Sequence, residues 1–296
     1  MPTSSPRAAR PGSVAAGAAA EAATRKVAEP AARAVAEPGA RAVVEPAARA
    51  VVEPAAEAVA AAPGARTAAG AARPKTRVRR EPARARYDPE SVHRALDRAL
   101  VAHVAFVDGG LPYCIPTLHA RIGDQLLIHG SSASRMTRLL STGVPACVTV
   151  TSVDGIVLAR SVFEHSVNYE SVSVFGSFRA LDDASSKLAA LEAFTERLLP
   201  GRWGEARAPD RRELKATRVL SLEISRASVK LRQGGPGDDG TPDAELDIWA
   251  GVLPLALVWG QPQPSPGLRP GIPLAPSVAA LGSARQPARA LASRPA

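Results

Sequence analysis

The segment LLIHGSSASR, residues 126–135, combines residue types that suit an anion site. An apolar, strand-like run ends at His129, and Gly130 permits close approach of another group to the backbone. A helix is predicted to begin among the serines, and its first turn would offer free N–H donors and a positive dipole end. The side chains that would add donors for phosphate oxygens are Ser131, Ser132, Ser134 and Arg135. From spacing alone, a phosphate site and an ordinary serine-capped helix with a surface arginine fit equally well.

Two more polar clusters follow. Polar residues are concentrated at a predicted turn between strands within residues 154–171, and binding groups often collect at such turns. The two segments are DGIVLARS and HSVNYES. Turn chemistry explains them too, with the Asn168 side chain bonding its own backbone. Nearer the C-terminus, Lys230 and Arg232 precede Trp249, so that cations are paired with a tryptophan. In isolation, Trp249 is better explained as a core anchor.

The chain lacks the short motifs of several common enzyme classes. It has no nucleotide-fold glycine pattern, no P-loop, no HExxH and no GxSxG. Its cysteines, Cys114 and Cys147, form no CxxC pair, and each lies in an apolar run, which predicts buried free thiols. The strand histidines show no metal-ligand spacing on one element, so no metal site is predicted. These histidines are His103, His119, His129 and His165.

Composition separates a folded middle from two tails. Residues 1–86 are dominated by Ala, Val and Pro, whereas nearly all Tyr, Phe, Trp and His lie from Tyr87 onward. Residues 33–56 repeat an eight-residue unit, RAVAEPGA and then RAVVEPAA twice, whose prolines disfavour helix and whose period is too short for a solenoid. We therefore expect a disordered tail over 1–86, one folded domain over 87–260, and a disordered Pro/Ala-rich tail over 261–296.

Charge and hydropathy restrict the partners. The net charge of +9 comes largely from arginines in the tails. No aromatic residues are interleaved with the basic cluster at residues 75–80, so we interpret it as a solvated linker and predict no nucleic-acid partner. The N-terminus has no apolar signal region, and no run approaches the ~20 apolar residues that a membrane span needs. We expect a cytoplasmic protein without membrane association.

The elements that would position the polar clusters can be read from periodicity. Asp88-Pro89-Glu90 is typical of a helix start, and helices are also predicted over 132–141 and 182–199. Asp154-Gly155 predicts a tight hairpin. Alternation of period two predicts strands over 103–107, 113–121, 125–129, 146–152, 156–163, 169–178, 219–224 and 228–232. Many short antiparallel strands with few helices indicate a mainly β, α+β domain built as a small closed barrel.

Several separated motifs resemble one known family. In order, they are HVAFVDGGLPYCIPTLHARIGDQLLIHGSSASR, VLARSVFEHSVNYESVSVFG, PGRW, SVKLR and WAGVLP. Together they are similar to the flavin-nucleotide-binding branch of the pyridoxamine 5'-phosphate oxidase superfamily, a group that includes nitroimidazole-resistance proteins. The resemblance spans about residues 87–260 and neither tail. It implies an antiparallel split β-barrel that works as a homodimer, with FMN at the subunit interface.

The resemblance also implies roles for particular residues. Ser134 and Arg135 match the pair that holds the FMN phosphate, with His129, Gly130 and Ser131 beside them. Ile115, Pro116 and Thr117 match the strand whose backbone meets the isoalloxazine edge. A family signature near the flavin is matched by Asn168, Tyr169 and Ser171, and C-terminal positions that close the pocket by Lys230 and Trp249. His129 is the candidate for proton transfer, although a structural or binding role fits it equally.

Two departures from the family bear on the reaction. Met136 stands where oxidases that make pyridoxal phosphate have a lysine, and WAGVLP replaces their arginine-rich C-terminal signature. We therefore expect a different reaction: an FMN-dependent oxidoreductase that transfers hydride or electrons to a small organic substrate. The alternatives are a non-catalytic flavin store or redox sensor, and a split barrel that holds heme or a deazaflavin.

Overall fold

The computed structural model describes residues 76–283, so the octapeptide repeat, most of the predicted N-terminal tail and residues 284–296 of the predicted C-terminal tail lie outside the described residues. The helices are α1 Pro89–Arg98, α2 Arg135–Leu140, α3 Ala184–Leu198, α4 Arg211–Ala216 and α5 Pro276–Ser283. The strands are β1 Ala85–Arg86, β2 Val101–Asp108, β3 Leu111–Ile122, β4 Gln125–Ser131, β5 Pro145–Leu158, β6 Ser166–Ser177, β7 Arg179–Leu181, β8 Thr217–Glu223, β9 Ala227–Arg232 and β10 Gly251–Pro254. Helix α5 lies within the segment predicted as a C-terminal tail.

All strand pairs are antiparallel, in the order β1-β9-β6-β5-β2-β3-β4-β8-β7, with β10 added beside β5. Strand β3 joins two sheets. Its residues 111–118 pair with β2, and its residues 119–122 pair with β4. Because the path ends at β1 and β7 without a ladder between them, the sheet is not closed. The mainly β class and the split barrel implied by the family resemblance are confirmed, whereas the closed barrel expected from strand number is wrong.

Alternation along the strands divides the apolar residues into two clusters. The larger cluster packs α1 and α2 against the sheets, and includes Leu96, Val104 and Leu140. The smaller cluster lies beneath α3, where Phe194 packs with Leu127. Helix α1 begins as predicted, since the Asp88 side chain accepts a hydrogen bond from the Ser91 backbone N–H at 2.8 Å. Among the described residues, no helix combines the length and apolar character needed to cross a membrane.

The hairpin predicted at Asp154-Gly155 is wrong, because β5 continues through these residues. A β-bulge between Val153 and Gly155 absorbs the register shift against β6. Strand β10 approaches so closely that a Cβ on Gly155 would lie 3.0 Å from the Leu253 carbonyl oxygen. Arg98 binds both carboxylate oxygens of Asp154. The Asp-Gly pair therefore serves a bulge and a close strand contact instead of a turn.

After β10 the chain has little regular structure until α5. Several large apolar side chains of this segment are exposed, including Leu257 at 92% and Val258 at 83%. The C-terminal end of this segment is fixed at the start of α5, where Glu205 accepts a hydrogen bond from the Ser277 backbone N–H at 2.9 Å. A segment tied at both ends thus presents apolar surface between them.

Candidate functional site

The loop between β4 and α2 is tightly bonded to itself and to its neighbours. The Ser132 N–H donates to the Ala216 carbonyl at 2.7 Å, and the Ser134 N–H donates to the Ser131 carbonyl at 3.0 Å. The Thr137 hydroxyl donates to the same Ser131 carbonyl at 2.8 Å. These bonds fix where α2 starts relative to the end of β4.

Gly130 has a packing role within the chain. A Cβ at this position would lie 3.0 Å from the Thr137 methyl carbon. The glycine therefore lets α2 sit directly on the end of β4. The close approach expected at Gly130 is thus made by the protein's own helix.

Ser134 and Arg135 lie together at the start of α2 with uncommitted donors. Ser134 occupies the N-cap position, yet its side chain makes no capping hydrogen bond. Arg135 is about half exposed, and its guanidinium carbon lies 4.1 Å from the centroid of the Tyr113 ring. Its contact with the Asp108 carboxylate is long, at 3.9 Å, so the positive charge is only weakly compensated. An uncommitted hydroxyl and a supported guanidinium fit the phosphate of a flavin nucleotide.

The strand segment Ile115, Pro116 and Thr117 has one open edge. These residues pair with Val104, His103 and Ala102 of β2, while β4 joins β3 only from His119 onward. Within residues 76–283, no strand covers the other edge of this segment. Proline is tolerated at such an edge because it has no N–H to donate. The open backbone groups can bond the edge of a planar heterocycle, as the family resemblance implies.

His129 lies on a different face of β4 from Gly130. Its ring meets Phe194 of α3 edge-on, with the centroids 4.4 Å apart. Its Nδ1 is buried without a hydrogen-bond partner, and burial lowers the pKa of the imidazole. The structure therefore does not bring this imidazole together with Ser134 and Arg135. Proton transfer by His129 stays a prediction.

Asn168 is fully buried and holds the end of β9. Its Nδ2 donates to the Gly234 carbonyl at 3.1 Å, and its Oδ1 accepts from Arg232 at 2.5 Å. The local turn bond considered for Asn168 is replaced by these longer-range contacts. Tyr169 lies opposite Arg232 in the register, and Ser171 lies opposite Lys230.

Trp249 lies at the far end of the sheet. Its side chain is 68% exposed, and its ring covers Gly251, where a Cβ would be 3.1 Å from the indole. Gly251 pairs with Leu158 at the end of β5. Trp249 is therefore a surface residue in the single chain and not a core anchor.

Most of the predicted site residues group around Arg135 or around Trp249, and these two residues lie near opposite ends of β5. Arg135 stands on Tyr113, which is joined through Phe106 to Ala146 at the start of β5. Trp249 stands at Leu158, twelve residues further on, which is roughly 40 Å in an extended strand. We call the first set the Arg135 group: Ile115, Pro116, Thr117, Ser131, Ser134 and Arg135. The second set, the Trp249 group, is Asn168, Tyr169 and Trp249, with Ser171 and Lys230 between the two groups.

Sequence reasoning missed Tyr113, the support of Arg135. It was expected only as the first residue of a strand, and nothing in its spacing marks it as a partner of an arginine twenty-two positions later. The prediction of buried thiols was also wrong for Cys114, which is exposed, whereas Cys147 is intermediate and both are free. Alternation places Cys114 opposite Ala105, facing away from the core.

Comparison with known proteins gives clear relatives. The sequence profile of the family described as pyridoxamine 5'-phosphate oxidase matches residues 88–231. The FAD and heme binding protein from Mycobacterium smegmatis is 42% identical, with 67% of this chain and 97% of that chain covered and a TM-score of 0.64. A flavocytochrome from Azotobacter vinelandii is 37% identical, covering 69% of this chain and 95% of that chain with a TM-score of 0.66. No curated protein matches the chain.

The two solved relatives are covered almost completely, and their match exceeds the profile match in length. The similarity to the two solved proteins therefore extends beyond residues 88–231. Identity of 42% over nearly the whole of a solved relative, together with the profile match, settles the family. The chain belongs to the split-barrel pyridoxamine 5'-phosphate oxidase superfamily.

Proposed function

We propose that the chain is a flavin-dependent oxidoreductase that works as a homodimer, with the flavin phosphate held by Ser134 and Arg135. The observation that carries this proposal is the pair formed by the weakly compensated Arg135 guanidinium and the uncapped Ser134 hydroxyl. The 42% identity to an FAD and heme binding protein supports a flavin as the ligand. Hydrogen bonds to charged groups contribute about 1.5–3 kcal/mol each, so two such donors hold a phosphate effectively.

The chain's own residues position the ligand. Arg135 and Ser134 fix the phosphate end, and the open edge at Ile115, Pro116 and Thr117 orients the ring system in one plane. A bound flavin would supply the hydride or electron transfer, so no side chain has to act as a nucleophile. The substrate class that suits such a site is a small organic acceptor or donor that stacks on the open ring face.

A homodimer explains why the two site groups lie apart. One chain cannot bring Trp249 to a ligand on its own Arg135, because the two residues lie near opposite ends of β5. A second copy can place its Trp249 group beside the first copy's Arg135 group. The exposed apolar segment after β10, including Leu257 and Val258, supplies surface that association would bury.

Mixed dimers test this arrangement directly. Arg135→Ala and Trp249→Ala should each weaken flavin binding in the respective homodimer. A mixed dimer of the two variants should regain one full-affinity site, since one interface then combines two intact groups. If each site is built within a single chain, the mixed dimer has no intact site. Flavin titration of tagged, purified mixed dimers distinguishes the outcomes, and normal affinity in the Trp249→Ala homodimer would remove Trp249 from the site.

The sequence resemblance implies FMN, whereas the name of the Mycobacterium smegmatis relative favours FAD. Both carry the ribityl phosphate that Arg135 would hold, so the loop itself does not separate them. We favour FAD, because the relative with 42% identity is described as an FAD and heme binding protein. The mass of the released flavin decides between them, and a deazaflavin mass would replace both.

A heme is the second cofactor that we propose. One relative is described as an FAD and heme binding protein and the other as a flavocytochrome. The chemistry of this chain fits, because it offers an exposed imidazole, that of His103, on the strand next to Pro116. A heme would accept single electrons there.

Activity separates an enzyme from a flavin store or redox sensor. An enzyme should be reduced by NADH or NADPH without oxygen and reoxidised by a quinone over many cycles. Tight flavin binding without turnover for either donor would favour the binding protein. Both readouts use the same purified full chain, so flavin content controls for folding.

A further inference from the structure

A heme iron needs a protein atom as its axial ligand, and this chain offers few. Histidine, cysteine, methionine and tyrosine are the usual sources. All five histidines of the chain lie within the described residues, so their surroundings can be compared directly. This inference rests on the heme part of the proposed function.

Two of the histidines pack against the interior of the domain. The His119 Nε2 lies 2.9 Å from the Leu96 carbonyl oxygen, and only 2% of the residue is exposed. The His129 ring is packed against Phe194 with a buried Nδ1, although the residue as a whole is only partly buried. The His119 imidazole cannot reach a heme without unpacking the core around it.

Two more histidines are held by partners. The His93 Nε2 lies 2.8 Å from the Asp124 carboxylate. The His165 Nδ1 accepts a hydrogen bond from the Ala159 backbone N–H at 3.2 Å. A neutral imidazole that accepts at Nδ1 carries its proton on Nε2, which then has no lone pair for iron. Metal-binding histidines show the reverse arrangement, with the second nitrogen donating a hydrogen bond. The His93 Nε2 can donate to Asp124 in this way, so His93 is the second candidate and is tested beside His103.

His103 differs from the other four. It is exposed on β2 between Ala102 and Val104, which are fully buried and face the core. Its imidazole forms no hydrogen bond with another described residue, so both ring nitrogens are available. Its direct neighbours across the sheet are Pro116 of β3 and Thr149 of β5.

The sheet face around His103 has room for a flat ring. The register places Thr149 opposite Ser173, and Ser173 opposite Ser228. The next row toward the Arg135 group holds Cys114, Ala105 and Cys147. On this side, His103 projects above short neighbours, while Val101 and Leu118 form the next row on its other side. A planar macrocycle can therefore approach the imidazole over the short side chains.

We propose that His103 is the axial ligand of the heme iron, bound on this outer face of the sheet. Its direct partner in β3 is Pro116, in the open-edged segment assigned to the flavin ring. The two cofactors would thus be neighbours across one strand pair, which suits direct electron transfer between them. The competing ligand on the same face is the exposed Cys114 thiol, and a cysteine ligand gives a distinct spectrum.

The test is hemin titration of the full chain as wild type, His103→Ala, His93→Ala, His129→Ala, His165→Ala and Cys114→Ser. Among the histidine variants, only His103→Ala should lose affinity. His103→Ala should weaken hemin binding at least ~10-fold, since losing even a residue that supports a ligand costs 10–100-fold in metal affinity. The ferrous iron–histidine stretching band in resonance Raman spectra should vanish in this variant. Added imidazole should restore it. His165→Ala and Cys114→Ser should match wild type.

Three results would overturn the assignment. Unchanged hemin affinity and an unchanged iron–histidine band in His103→Ala would show that another residue binds the iron. Loss of the band in one of the other histidine variants, or a thiolate-type spectrum that Cys114→Ser abolishes, would identify the residue that binds the iron. Wild-type protein that takes up no hemin would also overturn it, while the flavin content of that sample shows whether the flavin proposal still stands.

Discussion

The guanidinium carbon of Arg135 lies 4.1 Å from the centroid of the Tyr113 ring, and its Nη1 is 3.3 Å from the Tyr113 hydroxyl. The ring holds the guanidinium in place without neutralising its charge. A cation over an aromatic face contributes about 0.5–1 kcal/mol at an exposed site. Tyr113 therefore restricts where the charge that we assign to the flavin phosphate can lie.

Arg135→Ala should weaken flavin binding by roughly one to two orders of magnitude, because it removes a charge-assisted contact of about 1.5–3 kcal/mol. Quenching of flavin fluorescence on titration gives the affinity. Arg138→Ala is the matched control, since Arg138 lies one turn later in the same helix and should change affinity by less than ~3-fold. Equal effects of the two substitutions would point to general charge and not to a specific contact.

Gly130→Ala should destabilise the fold by about 1–3 kcal/mol, because the new methyl would press against the Thr137 methyl. Thr137→Ser removes that methyl carbon and keeps the hydroxyl that donates to Ser131. The double variant should recover most of the loss, as measured by urea unfolding of all four proteins. Additive effects would mean that the two residues do not meet as described.

The pKa of His119 is lowered to about 4, mainly by burial and then by the positive charge of Arg197. In the unfolded chain the histidine pKa is near its ordinary 6.5, so the unfolded state binds the proton first as pH falls. This contribution to stability is complete above about pH 6.5 and is lost between pH 6.5 and 4, up to about 3 kcal/mol.

His119→Gln should therefore flatten the fall in unfolding free energy between pH 7 and 5. Urea unfolding at several pH values gives the slope, and the difference at pH 8 reports only the lost packing and hydrogen bond to Leu96. A variant whose slope matches wild type would show that another group causes the acid sensitivity.

Asn168→Ala should lower stability by about 1–3 kcal/mol, because it removes the contacts with Gly234 and Arg232 from a fully buried position. Ser171→Ala on the same strand, facing the other side, should stay within ~0.5 kcal/mol. Thermal or urea unfolding compares them. A neutral Asn168→Ala would argue that the loop after β9 is held by other contacts.

Local patterns were sufficient to predict most elements of the fold. The Asp88 cap, the strand periods and α3 depend on neighbours in the sequence, and all appear near the predicted positions. Asp154-Gly155 shows the limit of this reasoning, since its local preference for a turn yields to β10, which arrives from about one hundred residues later. Sheet closure likewise depends on long-range pairing, and strand number alone does not determine it.

The candidate site shows the same division. The Ser134 and Arg135 pair could be predicted because its residues are adjacent in the sequence. His129 is adjacent as well, but strand alternation turns its ring toward α3, and only the position of Phe194 makes that visible. The roles of Tyr113 and His103 depend on residues in other parts of the chain, so spacing along the sequence could not identify them as site residues.

The most direct test of the account is the absorption spectrum of the purified full chain, with the released chromophore identified by mass. We predict oxidised-flavin bands with the mass of FAD or FMN, and a lower flavin content in Arg135→Ala. A colourless protein that takes up neither added FMN nor added FAD would contradict the central claim and leave only the family and the fold.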